Sequence, residues 1–302
     1  MSQGVLAKYL DSEALDRIAR QRWEPRGLVQ GNLAGGHRSP LAGFAVEFVG
    51  HRQYVWGDDP KHIDWRVFFN RDRLVVKQYA METNFVCHFV LDASASMTYG
   101  TGDQQKLRYA ARLAMTLGYF ILHQGDKISL ATFDRGLLAF IPPGNSPAQF
   151  VRMTEHLETL DPREKTDIGR ALAEIGEHFH RREIVVVLSD FFCDPADLEK
   201  AVQQWRYQRH EVVLLHVLHH DELAFEFEGQ VKFVGLELPD ELLTRPDELR
   251  RSYLRAFQDF QERLAAICQR NRVEYLLVDT SRPPADVLAD YLMQRSRFRR
   301  AR

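Results

Sequence analysis

An aspartate and two serines stand at alternate positions in the run "FVLDASASMTYG": Asp92, Ser94 and Ser96. They follow an apolar run, Phe85 to Leu91, without a break. A serine nucleophile needs a base within reach, and the Gly-x-Ser-x-Gly elbow is absent, the local text being Asp-Ala-Ser-Ala-Ser. Phosphate cradling needs a glycine-rich turn, and neither Gly-x-Gly-x-x-Gly nor Gly-x-x-x-x-Gly-Lys-Ser/Thr stands here. What remains is one carboxylate and two hydroxyls, hard oxygens that suit a hard cation such as Mg²⁺. One strand end cannot fill such a shell. "VVVLSDFF" supplies Asp190 at the end of another apolar run, and "EKTDIGRALAEI" supplies Thr166 at the mouth of a helix. Asp92, Ser94, Ser96, Thr166 and Asp190 together offer three neutral hydroxyls and two carboxylates. That set would leave Mg²⁺, or Mn²⁺ with the same oxygen preference, electrophilic and open to an acidic side chain from another protein. The plainer alternative is that Asp92 and the serines cap the following loop and that Thr166 is a helix N-cap.

These oxygens meet only if the fold gathers strand ends. From Phe85 onward short apolar runs alternate with helical patterns. Strands are expected at Phe85–Leu91, Lys127–Phe133, Leu137–Ile141, Ile184–Leu188, Glu211–Leu218 and Val273–Val278. Leu107, Ala110, Ala111, Ala114, Leu117 and Ile121 recur at three and four, as on the apolar face of a helix. Leu249, Tyr253, Phe257, Phe260, Leu264 and Ile267 do the same between about Asp247 and Cys268. The alternation predicts an α/β fold with a doubly wound, mostly parallel, Rossmann-like sheet, whose ligands gather at the carboxyl ends of the strands. "FEFEGQVKFVGLEL" predicts an added antiparallel hairpin. Upstream, Val5 to Ile18 predicts one or two short helices, and the stretch Gly27 to Gly43 a loop. Trp65–Phe69 and Leu74–Ala80 predict a hairpin turning at Asn70 to Arg73. The expected division is an N-terminal extension, residues 1–82, and an α/β domain, residues 83–302.

With 302 residues, 45% of them hydrophobic, the chain can bury one large core and an extension. A net charge of −2 gives no field for nucleic acid, and the basic end "RSRFRRAR" reads as a solvated terminus. Three cysteines, Cys87, Cys193 and Cys268, are distant and odd in number, as suits reduced thiols. No signal-peptide core and no membrane-length apolar run is present, so the sequence predicts a cytoplasmic chain without membrane insertion.

Asp-x-Ser-x-Ser, a threonine before a helix and a strand-terminal aspartate, in this order, resemble the metal-ion-dependent adhesion site of von Willebrand factor A domains. The resemblance spans about residues 83–295. It implies that Asp92, Ser94, Ser96, Thr166 and Asp190 hold the metal and that the protein binds other proteins and is not an enzyme. Adhesion domains commonly carry glycine at the position of Phe191. Phe191 and Phe192 are candidate partner anchors, with core packing the ordinary alternative. Upstream, Glu47-Phe48, Arg52-Gln53-Tyr54, Gly57-Asp58-Asp59 and Ile63-Asp64-Trp65 resemble the hallmark of the bacterial family called domain of unknown function fifty-eight. Lys61 and His62 stand where that family usually has arginine. Its members carry a von Willebrand A-like domain and are commonly encoded beside MoxR-type AAA+ ATPases. The resemblance implies an adaptor or co-chaperone that grips such an ATPase, or its client, through an acidic residue. Asp58, Asp59, His62 and Asp64 read as turn and strand anchoring, as partner surface, or as the chemistry of a metal-dependent hydrolase. His216, His219, His220 and Asp221 form another possible transition-metal group.

Overall fold

Apolar side chains on both faces of the central strands require helices on both sides. The computed structural model describes residues 8–23, 46–81, 85–162, 164–180, 182–236 and 241–300. The chain divides into two compact units, Met1–Glu24 with Phe85–Arg302, and Pro25–Asn84. The helix Ser12–Ile18, expected within the N-terminal extension, thus belongs to the α/β unit.

In that unit, α1 (Ser12–Ile18) comes first, and β3 (Val86–Asp92), β4 (Lys127–Phe133), β6 (Ile184–Ser189), β7 (Glu211–Leu218) and β10 (Glu274–Asp279) run parallel. β5 (Leu137–Gly144) pairs antiparallel with β4 at one edge. The order β10-β7-β6-β3-β4-β5 places β3 centrally, with β4 on one side and β6 on the other. The chain therefore reverses its direction of winding between β3 and β6, which opens a crevice at their carboxyl ends.

One face packs under α3 (Lys106–His123), with α4 (Pro147–Glu158) and α9 (Pro284–Arg300) beside it. Gly118 lets α3 approach closely, since a Cβ there would stand 3.2 Å from the Phe89 ring and 3.3 Å from Ile128. The other face packs under α5 (Ile168–Gly176), α6 (Pro195–Tyr207) and α8 (Pro246–Arg270). Its core alternates along the strands through Val90, Ala131, Val185, Val187 and Leu214, capped by Leu172, Trp205 and Leu264. α7 (His220–Ala224) follows β7, and the added antiparallel pair is β8 (Val231–Val234) with β9 (Glu241–Thr244). The hairpin expected within Phe225–Leu238 is thus corrected: Phe225–Glu228 is not a strand, and the partner of β8 lies beyond the expected run.

The second unit pairs β1 (Val46–Gln53) antiparallel with β2 (Val75–Met81). Here the expected hairpin is corrected. Trp65–Phe69 is not a strand but most of a helix, α2 (Trp65–Arg71). Asp64 starts it by accepting from the Arg66 and Val67 amides, and Asp72 ends it in the left-handed region at φ +49°. The stretch Gly27 to Gly43 lies outside the described residues.

Candidate functional site

Asp92 is the last residue of β3, and its carboxylate is fully buried at the crevice. One oxygen accepts from the Ser94 amide at 2.9 Å and the other from the Ser189 hydroxyl at 2.5 Å. Ser189 Oγ in turn accepts from the Phe191 amide at 2.8 Å, so the end of β6 clamps the end of β3. Ser94 precedes a short 3₁₀ turn, Ala95–Thr98, yet its hydroxyl makes no capping bond. It lies 3.1 Å from Ser96 Oγ. The loop carrying Thr166 is brought here by the Ala95 amide, which donates to Glu164 O at 2.9 Å. The N-cap of α5 is Asp167, which accepts from the Arg170 amide. Thr166 is thereby released from capping, and its hydroxyl is directed at Asp92 Oδ1, 3.5 Å away. The capping alternative thus fails at both Ser94 and Thr166.

Asp190, one residue past β6, is equally buried but differently engaged. Its Oδ2 accepts from Lys106 Nζ at 2.8 Å, and its Oδ1 accepts from the Phe192 amide at 3.3 Å. Lys106 opens α3, is 0% exposed, and donates a second bond to Glu222 Oε1 at 2.7 Å. Burial works to lower the Lys106 pKa, but the charges of Asp190 and Glu222 outweigh it and hold the ammonium above its ordinary range. Glu222 is fixed by the capping box of α7, where its other oxygen accepts from the His219 amide at 2.8 Å. Burial raises the Glu222 carboxyl, and burial followed by the charge of Asp190 raises Asp92 to about 7.

Ser189, Lys106 and Glu222 were not foreseen. Ser189 adjoins Asp190 in "LSDFF", and its position at a strand end was the available signal. Lys106, a lone cation opening a helix with a broad apolar face, was a fainter one.

The donor set can be judged by its chemistry. Asp92, Ser94, Ser96 and Thr166 turn hard oxygens toward one another, as a hard divalent cation requires. Asp92, Asp190 and Glu222 carry three negative charges when ionised, against the one positive charge of Lys106. The oxygen donors of Asp92, Ser94, Ser96 and Thr166 fit Mg²⁺ or Mn²⁺. The fit rests on four of the five expected positions, with Asp190 turned to Lys106.

Phe191 and Phe192 part company. Phe191 is 1% exposed, packs in the core beside His216, and takes φ +51°, which accounts for glycine being usual there. Its role as a partner anchor is corrected to core. Phe192 is 39% exposed, with its ring 5.1 Å from the Lys106 ammonium. It lines a cleft of about 860 Å³ together with Arg135, Lys165, Thr166, Asp194 and Phe260.

The hydrolase cluster is also corrected. Asp58 forms a two-pronged pair with Arg52 at 2.6 Å, and Asp59 accepts from the Lys61 amide at the start of a 3₁₀ turn. Asp64 caps α2 and meets His51 Nε2 at 2.8 Å, while His62 is exposed. The three carboxylates are engaged in separate local structures. Likewise His216 is bonded to the Tyr275 hydroxyl at 2.7 Å, with burial pushing it down to about 4. His219 caps α7, and His220 pairs with Asp279 at 2.9 Å. Among the described residues no three His, Cys, Asp or Glu side chains gather as a metal site.

Residues 50–263, well over half of the chain, match the family model described as protein of unknown function DUF58. The chain belongs to the DUF58 family. This DUF58 chain is 23% identical over 193 residues to the uncharacterized protein Rv1480 of Mycobacterium tuberculosis, over 63% of this chain and 60% of that protein. The match thus spans less than two thirds of that relative's length. Among solved structures, it is similar to an aerotolerance-related membrane protein from Bacteroides fragilis, at 19% identity and TM-score 0.48, over 70% of this chain and 100% of that one. It is also similar to the SpRpn10 VWA domain, at 14% identity and TM-score 0.40, over 70% of this chain and 95% of that one. The von Willebrand factor A-like fold stands on the sheet order and its two helical layers.

The cytoplasmic placement expected from the sequence is corrected by this comparison, since the Bacteroides fragilis protein is described as a membrane protein. No helix among the described residues is long and apolar enough to cross a membrane, and that bears on those residues alone.

Proposed function

We propose that this chain is a non-enzymatic, metal-dependent protein-binding adaptor. One observation carries the reading. Hydroxyls released from capping and a buried carboxylate converge at the topological switch point. Asp92 would hold the cation, with Ser94, Ser96 and Thr166 as neutral donors. A bound Mg²⁺ or Mn²⁺ would supply a Lewis-acidic position for a carboxylate of the partner. The bond from Ser189 would hold Asp92 in place for the ion. Phe192 and Phe260 would give the partner apolar contact in the adjoining cleft, where Lys165 adds a positive charge.

The family resemblance supplies the partner class, a MoxR-type AAA+ ATPase or its client. Such an ATPase would bring ATP hydrolysis in trans. The test is retention of the purified MoxR-type ATPase on the immobilised chain. Retention in Mg²⁺, lost in EDTA and lost with Asp92→Ala, is expected. Equal retention in all three conditions would contradict the metal bridge.

A further inference from the structure

We infer that Lys106 keeps the second strand-end carboxylate, Asp190, out of the metal's shell and so determines how much positive charge the metal retains for a partner's acid. The inference rests on the metal reading above. It deepens that reading, because the adhesion-site pattern contains no lysine.

The contact is built and is not incidental. Lys106 is 0% exposed, and its backbone amide is tied to Tyr99 O at 3.0 Å. Two of its three ammonium protons go to carboxylates, at 2.8 Å to Asp190 and 2.7 Å to Glu222. The Phe192 ring stands 5.1 Å from the ammonium and the Tyr99 ring 6.0 Å. The carboxylates have little freedom to turn away. Asp190 Oδ1 is taken by the Phe192 amide, and Glu222 Oε2 by the His219 amide.

A divalent ion would therefore compete with a fixed ammonium for Asp190, and it would do so against like-charge repulsion in a poorly solvated place. The shell left to it is one carboxylate, Asp92, and three hydroxyls. The ion then keeps net positive charge and fills its other positions with water or with an incoming acid. Without the ammonium, Asp190 Oδ2 would lose the cation that now holds it and become available to the metal, while Oδ1 stays on the Phe192 amide. The ion would bind more tightly and hold fewer exchangeable waters.

The experiment uses the full chain and Mn²⁺ alone, read by paramagnetic resonance of free Mn²⁺ and by water-proton relaxation. Lys106→Met keeps the apolar stem and removes the charge. It is expected to bind Mn²⁺ about tenfold more tightly, the size of effect a neighbouring charge has on a titrating group. It should also relax water less per bound ion. Lys106→Arg keeps the charge and should remain close to wild type. Should Lys106→Met fail to fold, the comparison is Lys106→Met/Glu222→Gln against Glu222→Gln, with the same tightening expected. If wild type binds Mn²⁺ and removing the Lys106 charge leaves affinity unchanged or weaker, the inference is overturned and the metal reading stands. If only the variant lacking the charge binds, Lys106 excludes the ion altogether, and the inference falls together with the native metal reading. Binding by neither overturns both.

Discussion

A hydroxyl beside a turn ordinarily caps it, and the two hydroxyls most suited to capping here do not. Ser94 leaves its 3₁₀ turn uncapped, and Thr166 yields the start of α5 to Asp167. Thr166→Ala should therefore leave the melting temperature in EDTA nearly unchanged and abolish any rise on adding Mg²⁺, whereas Thr166→Ser should retain the rise. A large loss in EDTA would return Thr166 to a structural role. At Asp58 the Arg52 guanidinium, joined by the Val55 amide, holds the carboxyl down to about 2. Because that pKa is depressed, the pair's stabilisation is present above about pH 4 and is lost as pH falls through about 2. The denaturant midpoint should fall over that interval, and Asp58→Asn should flatten the part this pair contributes. Asp92, Ser94 and Ser96 were legible in sequence because alternation and hard oxygens are local facts. Lys106 and Glu222 were not, because the direction of a side chain opening a helix depends on where that helix lands on the sheet. Phe191 was ambiguous for a similar reason, since its burial follows from a left-handed backbone that the letters do not reveal.

Short apolar runs and helical periodicities carried most of the α/β unit, strand by strand. They failed where the physical signal was mixed. Trp65–Phe69 is rich in β-favouring residues, but Trp65 and Phe69 are exposed in α2, so no buried face dictated its form. Local capping decided it. Asp64→Ala should cost about 1 kcal/mol through the lost cap, more if the pairing with His51 contributes, measured by urea denaturation. A neutral result would mean that α2 is held by something other than its cap. The contact of α5 with α6 is tighter. A Cβ on Gly176 would stand 2.6 Å from Trp205 Nε1. Gly176→Ala should destabilise by about 1–3 kcal/mol through overpacking, despite alanine's better helix propensity. A stabilised variant would show that Trp205 repacks without cost.

At the scale of the whole molecule, α1 was the least legible of the described elements. Nothing in residues 8–23 says that they return to the α/β unit, yet Trp23 is 1% exposed there, 5.3 Å from the Tyr291 ring and 4.6 Å from the Arg295 guanidinium. Arg295 also pairs with Glu211 and Glu274, tying α9 to β7 and β10. Trp23→Ala should cost about 3–5 kcal/mol, the usual range for truncating a buried large aromatic. That arrangement holds the sheet whose winding reverses between β3 and β6, where the candidate site lies. The most direct test of the account is the thermal melt of the full chain in EDTA and in rising Mg²⁺ or Mn²⁺, beside Asp92→Ala. The account predicts a rise in wild type, amounting to about 2.7 kcal/mol at a hundredfold excess over the dissociation constant, and none in Asp92→Ala. A wild-type melt indifferent to either ion and to EDTA, or an equal rise in Asp92→Ala, would contradict it.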